Sequence, residues 1–340
     1  VGGRVDSPPT YWKGRVYFGS ADGHVHCLDA DDGSPLWRFL AAPDRTSIIA
    51  RNQLESPWPV PGSVLVKDGF VYALAGRSAH LDGGIYFVKL DALTGEPKLT
   101  KQIYLRDDIG RQDETHVFDA GGPGYMDISG LLYDIPSSIG SSIFVRGTRL
   151  SLDGTLMHDQ PERHLFNPGG FLDDTRWHRF HMVHDARYLR DSLSGRILVF
   201  DDEHIFGYSH TRNRLFGAEI GKLEPPQSRS VPRNRTRGRQ AANAAATLWT
   251  NVKNPTMVRA LVLATDGDST RRESNRLVLA GPPVAGFGNS QILRGEEGGL
   301  LEIVDATTGR SLSHIPLEAP PIFDGMCIAR GSVVLTLTSG

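Results

Sequence analysis

The sequence is poor in cysteine, in long apolar runs and in helical periodicity. Cys27 and Cys327 are the only two cysteines among 340 residues, so a disulfide framework is excluded. A single bridge between them stays open, because separation in sequence does not fix separation in space. No run of about 18 apolar residues exists, which excludes a transmembrane helix. Only the Ala-rich stretch 239–249 predicts a helix, and a short one.

An excess of charge of either sign is also missing. Lys and Arg total 37 and Asp and Glu total 39, which gives a formal net charge of −2. A dedicated nucleic-acid-binding domain would be strongly basic, so we expect no nucleic-acid partner. The chain begins Val1-Gly2-Gly3, without an initiator Met or an apolar signal region. We therefore expect that a targeting segment was removed or that the chain is a piece of a longer protein.

Glycine and proline, in contrast, are abundant and dispersed. They account for 38 and 21 residues, or 59 of 340, about 17% against an average of about 12%. Seven Asp-Gly dipeptides lie beside β-rich runs, which favours tight turns because both residues tolerate positive φ. The predicted strands include residues 16–18, 70–74, 85–88, 197–200 and 333–335. These features predict an all-β protein with many short antiparallel strands.

Two short sequence units recur along the chain. Leu28-Asp29-Ala30-Asp31-Asp32-Gly33 matches residues 90–95 and 304–309, and residues 13–17 match 68–72 and 330–334. In the first two copies the second unit precedes the Leu-Asp-Ala unit by 15 and 22 residues. One module therefore consists of a strand, a turn, a strand, a Gly turn, a strand, an Asp-x-x-x-Gly turn and a strand. Four antiparallel strands per repeat predict the blade of a β-propeller.

The first Leu-Asp-Ala copy is followed by a tryptophan, as Leu28-Asp29-Ala30-Asp31-Asp32-Gly33-Ser34-Pro35-Leu36-Trp37. With this Trp the sequence resembles the pyrroloquinoline-quinone-like (PQQ-like) repeat propellers. The other two copies have Leu99 or Leu312 nearby instead of the Trp. The broader pattern is similar to large bacterial, non-enzymatic PQQ-like propeller proteins. The stretches that match are 7–10, 76–78, 81–84, 171–174, 177–179 and 320–326. The resemblance covers most of the chain except about 106–125 and 221–250, which we interpret as loop insertions.

The spacing of the repeats predicts the blade number. Asp29 and Asp91 are 62 residues apart, and Asp91 and Asp305 are 214 apart, whereas one propeller repeat takes about 40–50 residues. We expect a single propeller domain over residues 1–340 with about five blades plus partial terminal blades, as an incomplete ring cut from a larger one. The alternative is a closed ring in which the two termini share one blade.

The resemblance carries an enzymatic alternative, a quinone- and calcium-dependent dehydrogenase domain. Relatives that bind the quinone use a vicinal cysteine pair, a calcium ion held by oxygen ligands and an Asp base. Here the two cysteines are 300 residues apart, and some quinone enzymes lack the pair. Calcium needs about 6–8 oxygen ligands, and no such set stands out. We therefore expect no cofactor, with PQQ and calcium only under this alternative.

A histidine-rich stretch raises a second alternative, a metal-dependent enzyme. Five of the twelve histidines lie within 27 residues, with Asp173 and Asp174 among them: His158, His164, His178, His181 and His184. Imidazole and carboxylate groups are good ligands for zinc. On one strand, however, His178 and His184 share a face while His181 points away. Polar loop residues pairing with nearby arginines are the favoured interpretation.

The arginine-rich loop 229–239 could contact a phosphate-bearing partner or could be a solvated insertion, and we favour the insertion.

Loops on a rigid scaffold are where binding residues collect. The partner-facing candidates are Arg77, Asp82, Asp173, Asp174, Trp177 and His178. The alternative role of these residues is structural, as an Arg-Asp pair and a packed Trp that tie insertions to blades. The resemblance implies a non-catalytic scaffold that binds a protein or polysaccharide and is exported to the periplasm or cell envelope.

Overall fold

The structure is a computed structural model of the 340-residue chain. It describes residues 2–50, 52–105, 131–157, 162–167, 169–172, 182–185, 193–209, 213–223, 246–265, 275–284, 298–329 and 331–340. Nearly all regular structure in these ranges is β, with one 3-10 helix at Ile220–Lys222. The fold class predicted from the sequence, all-β with four-stranded antiparallel blades of the propeller type, is confirmed.

The strands are short and follow one another along the chain. They are β1 (Thr10–Trp12), β2 (Arg15–Gly19), β3 (His24–Asp29), β4 (Pro35–Leu40), β5 (Ile48–Ala50), β6 (Gln53–Glu55), β7 (Leu65–Lys67), β8 (Phe70–Ala75), β9 (Ile85–Asp91), β10 (Pro97–Ile103), β11 (Ser137–Ile139), β12 (Ser142–Val145), β13 (Thr148–Ser151), β14 (His164–Phe166), β15 (Met182–Asp185), β16 (Ser194–Gly195), β17 (Ile197–Phe200), β18 (His204–Ser209), β19 (Arg214–Glu219), β20 (Thr247–Asn251), β21 (Ala260–Ala264), β22 (Arg276–Gly281), β23 (Gly299–Asp305), β24 (Ser311–Leu317), β25 (Pro321–Ala329) and β26 (Ser332–Leu337).

The chain divides into two compact units. The first comprises Val1–Arg179 and Asp185–Tyr188, and the second comprises Phe180–His184 and Leu189–Gly340. In the first unit β1–β4 and β7–β10 form four-stranded sheets with sequential strand order, and β11–β13 form a three-stranded sheet. In the second unit β17–β20 and β21–β24 form four-stranded sheets, and β25–β26 form a two-stranded one. The single-domain assignment and the total blade number stay predictions.

The first two blades begin with the tight hairpin that the second recurring unit predicts. Lys13 and Gly14 connect β1 to β2 with φ of 48° and 75°, and Asp68 and Gly69 connect β7 to β8 with φ of 52° and 80°. Two consecutive residues with positive φ make the turn whose twist matches that of antiparallel strands. The recurring Lys-Gly or Asp-Gly dipeptide is therefore a turn signal, as predicted.

The Asp-Ala-x-x-Gly unit closes the same turn in all three copies, because the Gly N–H is donated to the backbone carbonyl of the Asp each time. In the second copy, the Asp91 carboxylate accepts the backbone N–H groups of Leu93 and Thr94, each at 2.9 Å. The Asp91 backbone carbonyl accepts the Gly95 N–H, also at 2.9 Å. The N–H of Ala92 is donated to the carbonyl of Gly69 in the hairpin described above, at 3.0 Å. This last bond fixes the third strand of the blade to the turn between the first two.

Two tryptophans connect successive blades. Trp37 in β4 donates its indole N–H to the carbonyl of Ala92 at 3.1 Å, and its ring covers Gly95 in the next blade's turn. Trp249 in β20 makes the same contact in the second unit, with the Ala306 carbonyl at 2.8 Å and with Gly309. Between the paired sheets, apolar clusters are buried around Tyr17 in one unit and Tyr208 in the other. We call this Trp-on-turn contact the blade clamp.

Trp249 also corrects one prediction. The Ala-rich stretch 239–249 predicted a short helix, whereas residues 247–249 belong to strand β20. Pairing with β19 and the blade clamp fix Thr247, Leu248 and Trp249 in an extended conformation. Residues 239–245 lie outside the described ranges, as do the predicted insertion 106–125 and most of 221–250.

Replacing the glycine in two equivalent turns by alanine will measure how much the blade clamp contributes to the free energy of unfolding. Gly33 and Gly95 have nearly equal φ, 73° and 72°, but a Cβ on Gly33 meets nothing within 4 Å whereas one on Gly95 lies 2.7 Å from the Trp37 ring. We expect Gly33→Ala to cost about 1 kcal/mol for the left-handed backbone. Gly95→Ala adds about 1–3 kcal/mol of overpacking. Urea unfolding of both variants checks this, and equal midpoints would contradict it.

The carboxylate of the same turn predicts a pH dependence of stability. The N–H of Thr94 lowers the pKa of Asp91 below its ordinary value. A lowered folded-state pKa stabilises the fold above the unfolded pKa of about 3.9, and that contribution is lost as pH falls through the folded value. We expect Asp91→Asn to lower the urea midpoint at pH 7, and we expect the difference from wild type to shrink as the pH falls from about 3.9 through the folded-state pKa of Asp91. A pH-independent difference would show that the charge has no role.

Candidate functional site

The six predicted partner-facing residues divide into two groups. Arg77 and Asp82 lie in the loop between β8 and β9. Asp173, Asp174, Trp177 and His178 lie outside the described residues, so their grouping stays a prediction. The loop of Arg77 and Asp82 neighbours the β5–β6 hairpin, which is inserted between the first two blades. We call these two segments, together with Trp58, the loop face of the first unit.

Glu55, the last residue of β6, is the central charge of this face. Its side chain is 3% exposed and forms ion pairs with two arginines, Arg4 in the N-terminal segment and Arg77 in the β8–β9 loop. The Arg77–Glu55 distance is 3.0 Å. A carboxylate this deeply buried requires both partners, because an uncompensated charge in such surroundings costs several kcal/mol. Glu55 therefore ties the base of the hairpin to two separate parts of the chain.

A buried tyrosine hydroxyl extends the network to Asp6. The hydroxyl of Tyr133 donates to the Asp6 carboxylate at 2.5 Å, and the N–H of Tyr133 is donated to the carbonyl of Arg77 at 3.0 Å. Burial, and then the hydrogen bond to Asp6, raise the pKa of Tyr133 above its ordinary value. The hydroxyl thus stays protonated and remains a donor throughout the physiological range. Arg77 is fixed by both its side chain and its backbone.

Asp82 acts through its backbone rather than its side chain. It has a φ of 51°, and its carbonyl accepts the indole N–H of Trp58 at 2.7 Å. The side-chain amide of Gln102 is donated to the neighbouring Gly83 carbonyl, also at 2.7 Å. Arg77 pairs with Glu55 instead of Asp82, so the predicted Arg-Asp pair is wrong. The reason is that the turn points the Asp82 carboxylate toward solvent, where it is exposed.

The β5–β6 hairpin presents apolar side chains to water. Ile49 and Leu54 face each other across the two strands and are 82% and 66% exposed. Ile48 is 36% exposed. Among the described residues β5 and β6 pair with each other alone, so each strand has a free edge. Sequence reasoning missed Glu55, Trp58 and this hairpin, and the Ile-Ile dipeptide in a polar loop is the one signal that could have indicated it.

A second polar group fixes the loop that precedes Asp173. The Asp134 carboxylate, fully buried, accepts the backbone N–H groups of Phe171 at 2.8 Å and Leu172 at 3.1 Å. Arg146 lies 3.7 Å from the same carboxylate. Burial raises the pKa of Asp134, and the charge of Arg146 opposes that shift. Residues 169–172 are therefore held in place up to the point where the described range ends.

The histidines that the structure describes have structural partners. His164 stacks between Phe144 and Phe166, with ring centroids 3.9 and 4.8 Å away. Its two ring nitrogens lie 2.8 Å from the Arg146 carbonyl and 3.1 Å from the Glu162 carbonyl. Burial lowers the pKa of His164. Within the described ranges, no three His, Cys, Asp or Glu side chains are arranged to hold a metal ion.

Both cysteines are free thiols, Cys27 buried and Cys327 exposed. In the part of the chain that the structure describes, no helix has the length and apolar character needed to cross a membrane.

Comparison with known proteins gives similarity in structure alone. No protein-family model matches the sequence, and no curated protein is significantly similar to it. BamB from Moraxella catarrhalis matches 98% of the chain over 70% of its own length, with 13% identity and a TM-score of 0.37. The quinohemoprotein alcohol dehydrogenase ADHIIG from Pseudomonas putida HK5 matches 99% over 56%, with 16% identity and a TM-score of 0.38. The dihydro-heme d1 dehydrogenase NirN matches 98% over 54%, with 14% identity and a TM-score of 0.38.

The chain thus spans little more than half the length of both dehydrogenases. Because the identities and TM-scores are this low, the fold assignment rests on the sheets and turns described above.

Truncating Glu55 will test the network. We expect Glu55→Ala to lower the free energy of unfolding by about 2–4 kcal/mol, somewhat less than for fully buried pairs because both arginines remain partly in water. Lys98→Ala is the control, since it removes an exposed ion pair with Glu96 that is worth at most about 0.5 kcal/mol. Urea unfolding measures both, and similar values for the two variants would contradict the central role of Glu55.

Proposed function

We propose that this protein is a non-catalytic propeller scaffold that binds a protein partner through the loop face of the first unit. The observation that carries the proposal is the β5–β6 hairpin, whose exposed Ile49 and Leu54 are presented on a base fixed by Glu55. Exposed apolar groups on a rigid support are typical of protein-binding surfaces. A hairpin with two free edges also offers backbone groups to an incoming strand.

The fixed base matters energetically as well as geometrically. A two-stranded hairpin alone is marginally stable in water. Here two ion pairs at Glu55 and the indole hydrogen bond of Trp58 restrain the surrounding loops before any partner arrives. A preorganised surface loses less conformational entropy on binding, which strengthens the complex. Arg77 and Asp82 then serve the site as supports, with Arg77 acting through Glu55 and Asp82 through Trp58.

The proposal also covers the cellular location of the protein, the class of its partner and its need for a cofactor. The resemblance to PQQ-like propeller proteins supports export to the periplasm or cell envelope of a bacterium, and membership of that family. A polysaccharide is the second class of partner, since Trp58 and Tyr86 pack edge to face beside the same loop at 6.1 Å. We propose that binding needs neither quinone nor metal. No observation on the described residues favours the dehydrogenase alternative.

A charge-introducing variant tests the docking surface. We expect the double variant Ile49→Lys and Leu54→Lys to lose at least tenfold in partner capture from an envelope extract, because lysine ammonium groups resist desolvation at an interface core. The urea midpoint should be unchanged, since both side chains face water. Leu93→Lys, at another exposed apolar position, is the matched control. Equal capture by the double variant and wild type would contradict the proposal.

A cofactor-binding experiment distinguishes the scaffold from the enzymatic alternative. The purified protein is incubated with PQQ and calcium, and then dialysed and examined by absorbance and elemental analysis. Stoichiometric retention of the quinone, with dye reduction on an alcohol or sugar, would support the dehydrogenase and overturn the non-catalytic assignment. We expect neither retention nor reduction.

A further inference from the structure

One buried carboxylate of the second unit lacks the arginine partner that other buried carboxylates have. Those of Glu55, Asp134 and Asp185 each lie within 4.0 Å of an arginine nitrogen. Glu302 in β23 is 0% exposed, and among the described residues its one ion-pair partner is a histidine. Burial of an unpaired charge is strongly unfavourable, so Glu302 requires a proton or another cation at its carboxylate.

The fold itself does not require a carboxylate at this position. Glu302 lies three residues before Asp305 of its Asp-Ala turn, and the equivalent residue of β9 is Val88, three residues before Asp91. Val88 is fully buried in the apolar cluster of the first unit. A blade therefore forms with an apolar residue here, and the carboxylate of Glu302 points to a role other than packing.

His314 on the adjacent strand β24 faces this carboxylate. The two residues pair directly in the β23–β24 ladder, and His314 Nε2 lies 3.4 Å from Glu302 Oε1. Oε1 is buried and has no hydrogen-bond partner within the described ranges. A charged N–H···O bond measures about 2.7–2.9 Å. Two ligands of one tetrahedral Zn²⁺, with metal–ligand bonds of about 2.0–2.2 Å, lie about 3.3–3.5 Å apart. The observed separation is thus that of two ligands of one metal ion.

The surroundings of the pair are rich in oxygen acceptors. Ser311 Oγ lies 3.2 Å from the same Nε2 of His314. Thr256, fully buried, donates its hydroxyl to the other carboxylate oxygen, Glu302 Oε2, at 3.3 Å. Asn254 donates to the Thr256 carbonyl, and its buried Oδ1 has no hydrogen-bond partner in the described part of the chain. The bond to Oε2 orients the carboxylate, as outer hydrogen bonds do in metal sites. The His314 side chain is 46% exposed, which gives an ion access from solvent.

From this geometry we propose that Glu302 and His314 bind a divalent transition-metal ion of the zinc type. Glu302 Oε1 and His314 Nε2 are the two strong ligands, and the Ser311 hydroxyl and water complete the coordination. Imidazole suits zinc, whereas Ca²⁺ takes oxygen ligands. Two strong protein ligands are one fewer than in catalytic zinc sites, so we expect readily exchangeable binding.

The bound ion links β23 to β24, the outermost strand of its blade. The site lies in the second unit, and neither the loop face nor the histidine-rich stretch 158–184 contributes to it. The proposal is therefore independent of the partner binding proposed above.

A second histidine of the same unit provides a matched control. His204 Nδ1 is also 3.4 Å from a carboxylate oxygen, Oδ1 of Asp201. That oxygen already accepts the backbone N–H groups of Glu203 and His204, at 2.9 and 2.6 Å. The Asp201–His204 pair thus has the spacing of two metal ligands without a free carboxylate oxygen, and we expect no ion there.

Titration of the 340-residue protein with Zn²⁺ tests the proposal. By isothermal titration calorimetry we expect a saturable component of one Zn²⁺ per chain. Glu302→Gln and His314→Gln should each weaken it at least tenfold, whereas His204→Gln should leave it unchanged. Because the His314 side chain is half exposed, His314→Gln should keep the wild-type urea midpoint in metal-free buffer, which separates lost binding from lost folding.

Selective labelling of histidine with ¹⁵N gives a readout local to the site. The His314 signals are those missing from His314→Gln, and the Nε2 signal should shift with Zn²⁺ and not with Ca²⁺. Lack of saturable zinc binding would overturn the proposal, and so would an equal shift with Ca²⁺. Zinc binding that survives both Glu302→Gln and His314→Gln would place the ion elsewhere and would also overturn it.

Discussion

The contact of a tryptophan ring with the glycine of the next blade's turn is the interaction on which the rest of this structure depends. Each sheet can bury one face only against its neighbour, so the fold requires a device that fixes the distance and angle between successive sheets. The indole ring provides it, since its flat face needs a residue without a side chain and its N–H needs a carbonyl beside that residue. The apolar clusters around Tyr17 and Tyr208 fill the space that results.

The loop face depends on this frame in a definite order. The first two blades hold the chain ends of the 41–64 insertion at a fixed separation, and Glu55 then ties the β5–β6 hairpin to Arg4 and Arg77. Tyr133 in turn holds the backbone of Arg77, and Asp6 lies beside the Arg4 guanidinium. An apolar surface held in this way combines two properties that usually oppose each other, exposure to water and a single conformation. That combination is what a docking surface needs.

The sequence allowed the blades to be predicted because their signals are local. A two-residue turn with positive φ and an Asp that accepts backbone N–H groups within three residues both act inside one hairpin, so a short motif shows them. Trp249 could not be recognised in this way, since its own blade lacks the Asp-Ala turn and the Ala306 carbonyl that it contacts lies 57 residues later. The Glu55 network was harder still to predict from the sequence. Glu55 is 51 residues from Arg4 and 22 from Arg77, and one sequence contains no pattern for such distant pairs.

The division of each blade clamp between two neighbours has a consequence for how such a chain can change over evolutionary time. The ring belongs to one repeat and its receptor turn belongs to the next, so a clamp forms only where two neighbours each carry their part, as with Trp37 and Gly95 or Trp249 and Gly309. Duplication of a repeat that carries both parts, such as β1–β4, leaves the clamps matched, whereas a break inside a repeat leaves a tryptophan without its glycine. Repeat number can therefore vary at little cost in stability while the phase of the repeat cannot.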